Sequence, residues 1–166
     1  MTTSALAQGR RSAPRRCRYQ KQDSDMTLAE ALAEYYAANT ARVLRPSDLS
    51  QASAELFRSH DMCHVIFGLD TTLADEALAD TRTLLSCDVG VRKYVRNLTT
   101  NPEAKAIFKE VGYLKAIWIT ILAVPRILRA IREAWKMPKK WPWTAPPAFH
   151  NRTLSDLRLE FGIIVI

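Results

Sequence analysis

Residues 50–85 read SQASAELFRSHDMCHVIFGLDTTLADEALADTRTLL, and this stretch decides the fold. Leu56, His60, His64 and Phe67 recur along one side of a helix running from about Ser50 to Phe67. Gly68 can close that helix in the left-handed conformation. Thr72-Leu73-Ala74-Asp75 then opens another, with an acid at the third helical position, and this second helix continues to about Leu85. So short a connection folds two helices into an antiparallel hairpin.

Helical signals continue on both sides. Thr27-Leu28-Ala29-Glu30 is a capping box, and it opens a helix with Leu28, Ala31, Leu32, Tyr35 and Tyr36 on one stripe. Arg45-Pro46-Ser47 breaks that helix. Residues 89–98 read as helix, and Asn101-Pro102-Glu103 starts another over 102–111. The most apolar run is YLKAIWITILAV at 113–124. Its β-branched residues would suit a strand, but the apolar spacing carries on through Ile127, Leu128, Ile131 and Trp135, which favours a helix kinked at Pro125. It is too short to span a bilayer, and Lys115 interrupts it. Pro138, Pro142, Pro146 and Pro147 make an extended loop, and Thr153 caps a short last helix. The expected fold is mostly α, a single helical domain carrying the histidine motif on a helical hairpin.

The chain has 166 residues, 48% hydrophobic and 25% charged, which suits one packed domain over 26–166. Residues 1–25 hold six basic and two acidic residues, so they supply four of the seven net positive charges. They read as a disordered basic arm, with a mitochondrial transit peptide or an upstream start-site artefact before Met26 as the alternatives. The rest is only mildly basic, which argues against a nucleic-acid partner. Cys17, Cys63 and Cys87 are widely spaced and form neither a disulfide framework nor a CxxC zinc pattern, as expected in a reducing compartment. Neither a glycine-rich nucleotide loop nor a GxSxG elbow occurs.

The chemistry sits in His60-Asp61-Met62-Cys63-His64. Two imidazoles four residues apart lie on one helix face about 6 Å apart along the axis, and Asp61 can reach the same side. These are nitrogen and oxygen donors suited to a divalent metal. His64 lies four residues before Gly68 and Glu76 four residues after Thr72, so Glu76 can face His64 across the hairpin. Asp70 and Asp75 are rival carboxylates. The HExxH zinc-protease pattern fails, because Asp61 stands where that motif has its glutamate. A His-Asp phosphohydrolase would want more ligands on other helices, and only His150 remains.

His60-Asp61-x-x-His64, eleven residues, then Glu76 resembles the HDxxH-x11-E signature of the ubiquinone (coenzyme Q) biosynthesis protein four family. The likeness extends through HDMCHVIFGLDTTLADEAL and to the closing Leu157-Arg158 and Gly162-Ile163, covering roughly 27–163. Asp75 departs from it, standing where many members have glycine. The resemblance implies a helical protein that binds zinc or a similar divalent metal through His60, Asp61, His64 and Glu76. It also implies C1 decarboxylation, oxidative or not, of a polyprenylated hydroxybenzoate intermediate at the membrane surface. The alternative is a non-catalytic prenyl-lipid-binding scaffold that organises a ubiquinone biosynthetic complex. Implied partners are the polyprenylated precursor, other ubiquinone biosynthesis proteins and a second copy of the chain as a homodimer. The expected place is the bacterial cytoplasm, peripheral on the inner membrane, or else the matrix side of the mitochondrial inner membrane.

Contact with lipid or an anionic membrane surface falls to residues where basic side chains run beside apolar and tryptophan ones. These are Trp118, Ile121, Leu122, Arg126, Arg129, Arg132, Trp141 and Trp143. A core helix with a solvated basic edge is the competing explanation. Arg158 is expected to pair with a core carboxylate or with a metal ligand.

Overall fold

The computed structural model describes residues 16–40, 50–102 and 113–166. Six α-helices are found there: α1 (Leu28–Ala38), α2 (Gln51–Phe67), α3 (Leu73–Ser86), α4 (Val91–Thr100), α5 (Tyr113–Lys136) and α6 (Leu154–Phe161). Short 3-10 turns stand at Arg18–Gln20 and Pro147–Phe149, and the described residues contain no strand. The helix expected over 102–111 falls almost wholly outside them.

The helix starts follow the capping chemistry. Thr27 Oγ1 accepts from the Glu30 amide while Glu30 accepts from the Thr27 amide. Thr72 and Thr153 cap α3 and α6 by accepting from the amides of Asp75 and Asp156. α2 ends at Gly68, with φ +71° and the Leu69 amide donating back to the His64 carbonyl. A side chain at 68 would be strained, and its Cβ would lie 2.7 Å from Val165 Cγ1. Helix α5 runs through Pro125 without a break.

The hairpin of α2 and α3 is the centre of a single helical domain. α1 packs on α2, and α5 lies along the other side of α3. The core gathers Leu28, Tyr35, Phe67, Leu78, Trp141 and Leu154. Chain segments before α1 and α6 pair with each other, the Leu28 amide donating to the Arg152 carbonyl and the Leu154 amide to the Met26 carbonyl. The proline-rich loop is pinned to the end of α3, where the Trp141 amide donates to the Ser86 carbonyl.

Two expectations need correcting. The arm does not extend to residue 25, because residues 16–25 are built into the fold. Tyr19 is fully buried and donates its hydroxyl to the Leu69 carbonyl, while Glu34 on α1 accepts from the amides of Arg18 and Tyr19. The charge pattern hid a single aromatic anchor. Among the described residues Arg158 pairs with no carboxylate. It is fully buried and donates to the carbonyls of Tyr19, Lys21, Val65 and Ile66. Burial pushes its pKa down to about 10, so it stays charged at neutral pH.

Candidate metal centre

The antiparallel hairpin sets α2 and α3 side by side with one turn per rung. His64 Nε2 lies 3.4 Å from Glu76 Oε2, and one turn further from the loop His60 Nε2 lies 3.6 Å from Asp80 Oδ1. Both pairs are symmetric about Asp70, as the helical period requires. One ligand atom each from His60, His64 and Glu76 come together within 4.8 Å of one another. The two imidazoles meet edge to face with ring centroids 4.8 Å apart.

Asp61 is placed differently from the other three motif residues. Its buried carboxylate accepts the hydroxyls of Tyr36 at 3.0 Å and Tyr35 at 3.4 Å, both from α1. The Tyr35 ring also stacks on His64 with centroids 5.5 Å apart. The rival acids turn elsewhere. Asp75 accepts from the Asp70 amide and pairs with Arg126 at 2.6 Å, and Asp70 accepts from the Thr72 amide.

Charge in the seam follows from these contacts. Burial works against a charged His60, but the Asp80 carboxylate and the negative charges of Glu76 and Asp61 raise its pKa to about 9. Burial alone would raise Glu76, yet His64 and His60 hold its carboxyl below the ordinary range. Asp80 is likewise held low against burial, by His60 and by the Tyr94 hydroxyl. At Asp61 burial wins over the histidines and Tyr36, and the carboxyl is raised.

The donor set fits a divalent metal. His64 is fully buried, and neither of its ring nitrogens has a hydrogen-bond partner, the Glu76 contact being an ion-pair distance only. Leaving such nitrogens unpaired is costly. The other buried side-chain atoms without partners, among the described residues, belong to Ser24, Arg82, Thr83, Ser86 and Trp141, none of the usual zinc-ligating types. Zinc bonds of about 2.0–2.2 Å set tetrahedral neighbours roughly 3.3–3.6 Å apart, which is the His64–Glu76 spacing. The site is open on one side, since the Glu76 side chain is 37% exposed and that of His60 17%.

Sequence reasoning missed Asp80 and the tyrosines. Asp80 had a signal, because it stands four residues after Glu76 as His60 stands four before His64. The tyrosines come from other helices, and no spacing in the chain announces them.

The residues expected at a lipid surface divide. Ile121 and Leu122 are exposed, as are Arg126, Arg129 and Arg132. Trp141 and Trp143 are core residues: Trp141 packs on Phe149 and Phe161, and Trp143 on Tyr94. The Trp118 side chain lies outside the described residues. Trp135, not singled out for this surface, is 80% exposed and completes a solvent-facing stripe with Ile121, Val124 and Leu128. No helix among the described residues is long and apolar enough to cross a membrane. Comparison of the chain with protein-family models, with curated proteins and with solved structures finds no match in any of the three.

Proposed function

We propose that the protein is a metal-dependent enzyme of ubiquinone biosynthesis. In this reading it holds zinc through His60, His64 and Glu76, with Asp61 beside them. It removes the C1 carboxylate of a polyprenylated hydroxybenzoate at an anionic membrane surface. The observation that carries the proposal is the buried His64 imidazole, whose two nitrogens meet no hydrogen-bond partner while Glu76 and His60 converge on it. Three protein ligands with an open side are the pattern of catalytic zinc sites, whereas structural sites close with four. That favours the enzyme over the scaffold.

When bound, the metal supplies a Lewis acid for a carboxylate or phenolate oxygen. His60 and His64 are held for this task by their neighbours on α3, and Tyr35 fixes the plane of His64 by stacking on it. In the reaction the ring-to-carboxylate bond breaks, carbon dioxide leaves, and a proton takes its place on the ring carbon. The hydroxyl oxygen delocalises its charge onto the ring carbon so that this carbon takes the proton first, and the bonding pair released as carbon dioxide leaves restores the aromatic ring. Contact with a membrane rests on α5. Its exposed Ile121, Val124, Leu128 and Trp135 lie beside exposed Arg129, Arg132 and Lys136, the composition of an interfacial helix.

The test is elemental mass spectrometry on protein never exposed to chelators, alongside turnover of a prenylated hydroxybenzoate in anionic vesicles. About one zinc per chain is expected, lost together with activity in Glu76→Ala. Full activity in metal-free Glu76→Ala overturns the proposal. Zinc without turnover in the wild type leaves the scaffold.

A further inference from the structure

Asp80 belongs to no part of the metal-binding motif, yet it faces His60 Nε2 at 3.6 Å. Its own position is fixed. The Tyr94 hydroxyl donates to Asp80 Oδ1 at 2.6 Å, from a side chain on α4 that is 1% exposed. Tyr94 in turn packs edge to face on buried Trp143, whose amide donates to Asp88 just before α4. A line of contacts therefore runs from the proline-rich loop through α4 and α3 to one imidazole of the seam. Asp80 does not join the three groups that lie mutually close enough to share an ion.

Resting on the metal reading above, we propose that Asp80 is a positioning residue of the metal centre. It holds the His60 ring across the seam and is itself held by Tyr94. A histidine that binds a metal through one ring nitrogen needs its other nitrogen fixed, or the ring turns and the ligand is lost. A carboxylate opposite that second nitrogen does this in metal sites generally, and removing it weakens metal binding about 10–100-fold. In this arrangement Nε2 of His60 faces the Asp80 carboxylate at the ion-pair distance of 3.6 Å, and Nδ1 is the nitrogen assigned to the metal. Tyr94 prevents Asp80 from swinging toward solvent, where its side chain is already 38% exposed. On the opposite side of α2, Tyr35 and Tyr36 fix Asp61 in the same way.

The experiment measures zinc dissociation constants of the full chain by competition with a fluorescent chelator, with cobalt absorption spectra as a second readout. Asp80→Ala is expected to weaken zinc about 10–100-fold while still binding one ion at saturation, with the cobalt band intensity of the wild type. Asp80→Asn, which keeps the shape, should fall between, and it carries the test if Asp80→Ala does not fold. Tyr94→Phe should weaken zinc by itself and add nothing on the Asp80→Ala background. Unchanged affinity in Asp80→Ala and Asp80→Asn, beside a wild type that binds zinc, overturns the proposal and leaves the metal centre standing. A cobalt spectrum altered at saturation makes Asp80 a ligand and also overturns it, as does an additive Tyr94→Phe effect. A wild type that binds no zinc overturns the metal reading together with it.

Discussion

Arg158 and His64 are both fully shielded from solvent, and the chain surrounds them in opposite ways. Around Arg158, four backbone carbonyls from the segment Tyr19–Lys21 and the last turn of α2 receive the guanidinium. Around His64 neither ring nitrogen has a hydrogen-bond partner, and the Glu76 carboxylate stands 3.4 Å from Nε2. A buried donor is costly to strand, and the imidazole, unlike Arg158, keeps two ring nitrogens that an ion could use. The clasp is finished by the chain itself, whereas the seam has room for an ion.

The contrast breaks first at Arg158. Arg158→Met strands several carbonyls and should lower stability by roughly 3–5 kcal/mol. Chemical denaturation should show the same loss with zinc as without it. A loss that zinc repairs would join the clasp to the seam.

A smaller effect separates the two by pH. In metal-free protein the His60 pKa is raised from 6.5 to about 9. Its contribution is therefore fully present below pH 6.5 and disappears as pH rises through 9, and it amounts to about 3 kcal/mol at most. Glu76 and Asp80 are lowered, so their contribution holds at neutral pH and is lost in acid. Denaturation of the chelated protein at pH 6 and pH 9 should show the difference, and His60→Asn should flatten it. Zinc-loaded protein should lack it, because the ion replaces the proton. Equal stability of the chelated wild type at both values would remove the His60 pairing.

The smallest effect lies where both regions meet. Gly68 ends the helix that carries His64 and whose last carbonyls Arg158 clasps. Gly68→Ala meets the left-handed φ and Val165, and should cost about 1–2 kcal/mol. A similar fractional loss of zinc affinity would show that the turn sets the seam; unchanged zinc affinity would assign the turn to stability alone.

Much of this was legible in the sequence because it is local. Thr27, Thr72 and Thr153 announce helix starts, and Gly68 announces a stop, through groups within a few residues of each other. The hairpin register then places Glu76 opposite His64. The burial of Tyr19 and the partners of Arg158 were not legible, since they join segments far apart in the chain. Trp141 and Trp143 misled for the same reason. In sequence they sit among lysines and prolines, and only the docking of their loop on α3 and α4 turns them inward.

The same difference in range has a consequence for assembly. The Arg158 bonds to Ile66 and Tyr19 close separations of 92 and 139 residues, while His60 and Glu76 are 16 positions apart in the chain. Loop closure over the longest of these costs roughly 2 kcal/mol more than over the shortest. The His60–His64–Glu76 group thus draws its three donors from two neighbouring helices and closes over a short stretch of chain. The clasp can form only when the first and last described segments have met.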